Sequence, residues 1–257
     1  MHIRRTRNAL LAAFFMMWPI LTAPAHGLVL VSDTTVSYFR PGGSLNTTLF
    51  GYLGAATGND VQVVSNLSDA AQVGAADALW VTARNYFETM SATEISNIQT
   101  FAATGKRVVL FGEHGGWGTW NTSILAVPGG TNLGGGQSGV ITASSVSHPL
   151  TVGVGSVELL GGSAAAGGTS LFAYDFINLW GAGQNVLTIQ DSNLFQNANL
   201  ASADNNPLAL NLVDWIAGSA AFSANAFVIS APPAAFLFVL GLAGIAVWRR
   251  RLNISGT

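Results

Sequence analysis

The chain has 257 residues, of which ten are basic, twelve are acidic and none is cysteine. The absence of cysteine excludes disulfide bridges, thiolate metal sites and a cysteine nucleophile. A net charge of −2 provides no basic surface for nucleic acid. Only 9% of the residues are charged, against roughly 25% in an average soluble domain. This composition favours an exported protein over a cytosolic enzyme, and the length suits one domain with accessory segments.

Residues 1–25 have the pattern of a secretory signal peptide. Three arginines in the first seven residues precede an apolar run over 9–21, and Ala23-Pro24-Ala25 offers a cleavage site. Such a segment would be handled by the Sec translocon and a signal peptidase. An uncleaved membrane anchor is the alternative, although the apolar run is short for a span.

The residues from 28 to 111 alternate between strand and helix patterns. Continuous apolar runs, which suit strands buried on both faces, predict strands at 28–32, 61–65, 78–82 and 107–111. Helical spacing predicts helices near 45–53, 69–74 and 94–102. Ser91 and Glu94 form a capping-box pattern, and Gly105 is placed to end that helix. Short turns between these elements indicate parallel strands with right-handed crossovers.

The second half of the domain is less regular. Residues 112–168 are rich in Gly, Ser and Thr and predict an irregular or antiparallel insertion. Strands are expected again at 170–174 and 185–189, and Asn206-Pro207 is expected to open a last helix that ends at Gly218. The predicted fold of 28–218 is therefore α/β, with a mostly parallel, doubly wound sheet and a β-rich insertion. Residues 219–230 read as a small-residue linker.

Residues 231–251 form an apolar tail with a basic end. Pro232 and Pro233 precede an uncharged run over 234–248, and Arg249, Arg250 and Arg251 follow it. This pattern predicts a transmembrane helix whose arginines stay on the cytoplasmic side, with the domain across the membrane. The expected location is the inner membrane with a periplasmic domain, or the cell surface after processing.

This tail resembles the PEP-CTERM sorting signal, which is recognised by an exosortase in Gram-negative bacteria that make exopolysaccharide. The apolar span and the three arginines match that pattern, whereas Ala231-Pro232-Pro233 stands where the family has Pro-Glu-Pro. The resemblance implies an exosortase as a partner and a surface destination.

The body of the chain, 28–218, resembles a class I glutamine amidotransferase-like domain of the flavodoxin-like kind. The resemblance is carried by 107–116 and by 186–195 followed by 206–216. It implies that 112–116 occupies the nucleophile elbow, where the family has a cysteine that this chain lacks. The second segment is similar to the non-enzymatic branch of the superfamily, and thiol-dependent glutaminase chemistry is excluded.

A hydrolase is the alternative interpretation of the elbow. His114 could act as a base beside Glu113, and His148 is a further histidine that could converge with them. The competing interpretation is a glycine-permitted turn with exposed polar side chains, and it is favoured here.

Three acidic residues end or follow predicted strands at one rim of the sheet. Asp33, Glu113 and Asp191 could together hold Ca²⁺ or Mg²⁺, which prefer oxygen ligands. The alternative is turn chemistry, in which each carboxylate bonds nearby backbone. This alternative is favoured, so no resident metal or other cofactor is expected.

Aromatic residues are also predicted near this rim, namely Tyr86, Phe87, Trp117, Trp120 and Trp180. Exposed rings there could stack on sugars, and Trp117 and Trp120 with Asp33 and Asp191 are the candidate ligand-binding residues. Packing against the sheet edge is the equal alternative. The expected function is an exported, membrane-anchored or exosortase-sorted, non-catalytic surface protein that binds an exopolysaccharide or another envelope component. A degenerate hydrolase that uses 112–116 is the alternative.

Overall fold

The computed structural model describes residues 27–33 and 39–218. The predicted signal peptide, the linker and the C-terminal tail with Pro232, Pro233 and Arg249–Arg251 lie outside these residues. The strands are β1 (Val29–Ser32), β2 (Val61–Val64), β3 (Ala78–Val81), β4 (Arg107–Phe111), β5 (Thr131–Thr142), β6 (Ser156–Ala166), β7 (Thr169–Ser170), β8 (Ile177–Trp180) and β9 (Val186–Ile189). The helices are α1 (Thr47–Ala56), α2 (Ala70–Ala75), α3 (Ala92–Ala103), α4 (Gly118–Leu125) and α5 (Asn205–Ile216).

The central sheet has seven strands in the order β2-β1-β3-β4-β9-β8-β7. The pairings from β2 through β9 are parallel, whereas β8 and β7 add antiparallel at one edge. Because β1 lies between β2 and β3, the chain winds outward in both directions from β1. The carboxyl ends of β1 and β3 therefore form the topological switch point, where doubly wound sheets commonly bind ligands. This confirms the predicted α/β class with a mostly parallel central sheet.

The strands form because their side chains are apolar on both faces. In β1, β3, β8 and β9 every residue is buried, which agrees with helices covering both sides of a parallel sheet. Helix α1 packs on α5, and α2 packs on α3. The buried apolar residues of 29–216 form one cluster, so the part of the chain that the structure describes has one continuous core.

Helix α3 begins and ends where the sequence predicts. The Ser91 hydroxyl accepts from the backbone N–H of Glu94, and the Glu94 carboxylate accepts from the backbone N–H of Ser91. Gly105 follows the last turn with a φ of 83°, a conformation that glycine adopts without steric cost.

Several predicted boundaries were wrong. The segment after β4 contains helix α4 before its antiparallel strands begin, and that helix was not predicted. Of the expected strand at 170–174 only residue 170 belongs to a strand, the two-residue β7, while β8 lies in a stretch for which no element was predicted. Helix α5 begins at Asn205, so Asn206 and Pro207 are inside its first turn and do not cap it.

The irregular insertion is mainly a long antiparallel hairpin, β5–β6, which forms a separate two-stranded sheet. It packs on the short helical turns that follow β4 and β9 and on the start of α5. The hairpin therefore lies over the carboxyl ends of β4 and β9. No helix within 27–33 and 39–218 is long and apolar enough to cross a membrane.

Candidate functional site

Two acidic side chains are buried together where β4 and β9 end. These strands are parallel neighbours with Phe111 opposite Ile189, and each is followed two residues later by an acid. Glu113 and Asp191 are thereby placed side by side, with 1% and 0% of their surface exposed. The register of one strand pair accounts for this carboxyl pair.

Backbone and amide donors surround both carboxyl groups. Glu113 Oε1 accepts from the backbone N–H of Ser192 at 2.9 Å, and Oε2 accepts from Asn193 Nδ2 at 2.7 Å. Asp191 Oδ1 accepts from the backbone N–H of Asn193 at 3.1 Å, and Oδ2 accepts from that of Leu160 at 2.8 Å. Every carboxyl oxygen of the pair has a donor within the protein, so the pair is a structural junction between the sheet rim and the hairpin.

Burial dominates the electrostatics of the pair. Burial, together with the neighbouring Asp191, raises the pKa of Glu113 to about 8. Burial also raises the pKa of Asp191. Two carboxyl groups that share a dry site cannot both ionise at low cost, so Glu113 is largely protonated at neutral pH.

The hairpin covers this pair closely. Ser163 on β6 donates to the Glu113 carbonyl at 2.8 Å and accepts from Asn121 Nδ2 at 2.9 Å. At Gly115, a Cβ atom would lie 2.2 Å from the carbonyl oxygen of Gly135 on β5, so only glycine allows the turn after β4 to meet the hairpin. The hairpin therefore covers Gly112 and Glu113 of the elbow position, whereas His114 and Gly116 stay exposed.

The turn after β4 does not have the backbone of a nucleophile elbow. Such an elbow is a strained strand-to-helix turn that exposes its nucleophile. The non-glycine residues with positive φ in the described segments are Asn59, Gln184 and Ala203. Glu113 and His114 are not among them, and the described turn exposes no hydroxyl or thiol nucleophile.

His114 is exposed and caps the turn that follows it. Its Nδ1 accepts from the backbone N–H of Gly116 at 3.0 Å. In the neutral ring this bond places the proton on Nε2, as inferred from the hydrogen bonding. The basic lone pair of His114 is therefore already used by the backbone.

His148 lies at the opposite end of the sheet. It caps the turn Pro149–Thr151 through Nδ1, and its ring is 6.3 Å from that of Trp215. Burial and the positive charge of Arg107 lower the pKa of His148 to about 4. Arg107 begins β4, and Glu113 is six residues further on, roughly 20 Å at strand rise. The suggested convergence of Glu113, His114 and His148 is wrong.

The suggested calcium rim is not assembled either. Asp33 follows β1, which is two strands from β4 in the sheet order, roughly 10 Å away, and its Oδ1 is 3.5 Å from Thr82 Oγ1. Only Glu113 and Asp191 lie together. The described ranges contain no group of three or more His, Cys, Asp or Glu side chains that could hold a metal ion.

Two of the aromatic candidates are buried and do not face a ligand. Trp120 is fully buried on α4, and its indole N–H donates to the Phe111 carbonyl at 2.8 Å. Trp180 ends β8, which is antiparallel to β9, so it pairs with Val186 at the opposite end of the sheet. The alternative that these rings pack against the sheet is correct for both.

The remaining aromatic residues form an exposed patch at the switch-point side of the rim. Tyr86 and Phe87 lie in the loop after β3 and are 45% and 75% exposed. Trp117, in the turn after β4, is half-buried with its ring 6.0 Å from Tyr86. We call Tyr86, Phe87 and Trp117 the aromatic patch. Adjacent parallel strands place these two loops side by side, as the sequence predicted.

A buried ion pair holds the loop that carries the patch. Arg84 pairs with Glu94 of α3, also donates to the Ser32 hydroxyl at 2.7 Å, and places its guanidinium 5.3 Å from the Trp120 ring. Burial is the largest single influence and opposes ionisation of Glu94, but the hydrogen bond and charge of Arg84, with backbone hydrogen bonds from Ser91 and Leu67, together lower its pKa. Sequence reasoning found Glu94 only as a capping residue and missed Arg84, because nothing in the spacing indicates that the arginine points inward.

Comparison with solved structures identifies the class of fold. The mmIFT52 N-terminal domain superposes with a TM-score of 0.59 at 8% identity, covering 74% of this chain and 97% of that domain. A protein described as a GMP synthase subunit, from Thermoplasma acidophilum, gives 0.50 at 12% identity over 75% and 95% of the two chains. A ThuA-like protein from Bacteroides uniformis gives 0.50 at 13% over 77% and 95%.

At these identities the likeness establishes the fold alone. The described domain has a class I glutamine amidotransferase-like fold, which confirms the coarse part of the resemblance drawn from the sequence. No protein-family model and no curated protein matches the chain.

Proposed function

We propose that the chain is an exported, membrane-anchored or exosortase-sorted surface protein whose domain binds a polysaccharide of the envelope and has no catalytic activity. The observation that carries the proposal is the aromatic patch, in which the Tyr86 and Phe87 rings are exposed at the switch point of a doubly wound sheet. Exposed apolar groups at such a position are typical of binding sites. Rings of this kind offer flat apolar faces on which a sugar ring can lie.

The chemistry of the rim supports the proposal that the domain has no catalytic activity. The turn after β4 supplies no nucleophile, and the Nδ1 atom of His114 is bonded to backbone. Glu113, the acid nearest to that turn, is covered by the hairpin and bonded to Ser192 and Asn193. A degenerate hydrolase that uses 112–116 would need a reacting group beside an accessible base, and the described turn after β4 offers neither.

The proposed location rests on the sequence of the two terminal segments, both outside the described residues. Residues 1–25 have the signal-peptide pattern, and the run 234–248 with Arg249–Arg251 has the pattern of a membrane anchor with positive charges inside. An exosortase as partner follows from the PEP-CTERM resemblance. The absence of cysteine and the low charge are compatible with export.

Hydrolase activity is tested with the purified fragment 27–218, which contains the whole described core. We expect no turnover of nitrophenyl esters, glycosides or polysaccharides, and no difference between wild type and His114→Ala. An activity that disappears in His114→Ala, while the circular dichroism spectrum is retained, would show that the domain is an enzyme. His148→Ala is the matched control, because that histidine caps a similar turn at the far end of the sheet.

Sorting is tested by intact-mass measurement of the protein from the envelope of an exosortase-containing host and of the same strain without exosortase. We expect the first to lack Arg249–Arg251 and the second to retain them. Replacement of Pro232 and Pro233 by alanine should give the retained form in both strains. Retention of the arginines in the wild-type protein of both strains would limit the tail to a membrane anchor.

A further inference from the structure

A narrow cleft enters the switch point beside the aromatic patch. It is lined by Phe39, Asn46, Leu49, Trp80, Thr82 and Ala83, among others, and contains about 180 Å³ of empty space. That volume includes open solvent, and the interior admits a group of about the size of one water molecule. The cleft can therefore receive a hydroxyl group but cannot receive a ring.

One polar atom in this cleft has no partner. Asn46 is 3% exposed, and its Oδ1 has no hydrogen-bond partner among the described residues. Although Asn46 directly precedes α1, its side chain makes no capping bond to that helix. A buried carbonyl oxygen that lacks a donor is unfavourable, and a ligand that brings a donor would remove that cost.

The cleft and the aromatic patch are neighbours. Phe39 lines the cleft, and its ring is 6.4 Å from Trp117 of the patch in an edge-on arrangement. Thr82 and Ala83 line the cleft at the start of the loop that carries Tyr86 and Phe87. The cleft therefore adjoins the patch at Trp117 and at the start of the loop after β3.

The charge of this region selects a class of ligand. The described part of the chain has twelve acidic and four basic side chains. Arg84 is paired with buried Glu94, and Lys106 and Arg107 lie at the other end of the sheet. The fourth basic residue, Arg40, already has an interaction within the chain. Because acidic side chains outnumber basic ones three to one in the described residues, a polyanion would be repelled by the domain and a neutral ligand fits better.

We infer that the switch point binds a neutral glycan, with a sugar ring lying on Tyr86 and Phe87 and one hydroxyl donating to Asn46 Oδ1 in the cleft. This inference rests on the proposed function and specifies the ligand class and the specificity residue. The aromatic rings provide apolar contact without selecting a charge. Asn46 requires a donor, which a neutral sugar supplies through any of its hydroxyl groups.

The experiment measures binding of the full-length chain in detergent by titration calorimetry. The probes are three neutral polysaccharides (dextran, laminarin and galactomannan) and one acidic polysaccharide, alginate. We expect at least one neutral probe to bind and alginate not to bind. Phe87→Ala should weaken the neutral probe about tenfold. The matched control is Val63→Ala, an exposed apolar residue on β2, and it should leave binding unchanged.

Asn46 is tested with two substitutions. Asn46→Leu keeps the volume but removes the acceptor, and it should weaken binding of the neutral probe about fivefold. Asn46→Asp keeps an acceptor oxygen, and it should bind within about threefold of wild type. The melting temperature of each variant shows whether it is folded. If Asn46→Leu does not fold, Phe87→Ala and the comparison with alginate still test the inference.

The outcomes separate this inference from the proposed function. If no probe of either kind binds, both the polysaccharide proposal and this inference are wrong. If alginate binds better than the neutral probes, the polysaccharide proposal survives and the neutral class is refuted. If a neutral probe binds but Asn46→Leu binds equally well, the cleft holds water only and Asn46 has no role in recognition.

Discussion

Substitution of Glu113 tests whether the sheet rim contains a buried, protonated carboxyl group. Burial raises the pKa of Glu113 to about 8, whereas a glutamate in the unfolded chain titrates near 4.3. Between these values the folded state holds a proton that the unfolded state has released. The free energy of unfolding must therefore fall as pH rises, by at most about 1.4 kcal/mol per pH unit.

His148 limits the pH window in which this effect is visible. Burial and Arg107 lower the pKa of His148 to about 4, so below pH 6.5 the unfolded state binds a proton that the folded state rejects. That contribution makes stability rise with pH and opposes the effect of Glu113 in the same range. Above pH 6.5 the unfolded histidine also loses its proton, so in the window from pH 6.5 to 8 the opposing contribution fades and the contribution of Glu113 dominates. Across it the net fall should be about 1 kcal/mol.

The measurement is urea denaturation of the fragment 27–218, followed by tryptophan fluorescence at half-unit steps across that window. Glu113→Gln has no ionisable group at this position, so we expect its unfolding free energy no longer to fall as pH rises. His148→Asn is the control: it should keep the slope above pH 6.5 and extend it toward pH 4.5. A flat wild-type profile, or the same slope in Glu113→Gln, would refute the buried protonated pair.

Two further substitutions test the contacts that hold the rim together. Arg84→Met should lower the free energy of unfolding by about 3 kcal/mol, because it leaves Glu94 buried without its cation. The loss is measured by urea denaturation. A loss below about 1 kcal/mol would contradict a buried ion pair. Gly115→Ala should cost about 2 kcal/mol, since its Cβ would collide with the Gly135 carbonyl. Gly136→Ala, which meets nothing within 4 Å, should change the unfolding free energy little, and equal effects at the two glycines would disprove the close approach.

The elements that the sequence predicted well are those whose pattern depends on local chemistry. Strands β1 to β4 are continuous apolar runs, and α3 has its capping residues and terminal glycine in the sequence itself. Helix α4 could not be predicted because Gly118–Leu125 contains glycine, threonine, asparagine and tryptophan, all of lower helix propensity than alanine. Burial of Trp120, Ile124 and Leu125 stabilises it instead, and burial of that kind depends on the tertiary fold.

The candidate site was predicted in composition but not in arrangement. Asp33, Glu113 and Asp191 were correctly placed at one rim, yet only the register of β4 with β9 decides which two of them touch. Strand β9 follows β4 after an insertion of about seventy residues, so no local pattern indicates that pairing. Residue type likewise could not predict the burial of two neighbouring tryptophans. Trp117 is half-buried, whereas Trp120, three residues later, is fully buried.

The hairpin explains why the two halves of the same rim differ. A doubly wound sheet presents the carboxyl ends of all its parallel strands on one side, so this chain has two regions at which a ligand could bind. Over β4 and β9, the β5–β6 hairpin bonds to Glu113 and Asp191 through Ser163 and Leu160 and excludes water. Over β1 and β3 the hairpin makes no comparable cover in the described structure, and exposed rings occupy that side.

Substitutions in the two halves of the rim should therefore affect different properties of the domain. The hairpin covers the carboxyl ends of β4 and β9, which keeps Glu113 protonated and fixes the turn after β4. Substitutions there should therefore act mainly on stability. The β1–β3 half is held by the Arg84–Glu94 pair beneath it, which positions the loop of Tyr86 and Phe87 without using either ring. Those two rings are therefore free to change with the ligand at little cost to the fold. Recognition should respond to substitutions at the switch point, and stability should respond to substitutions under the hairpin.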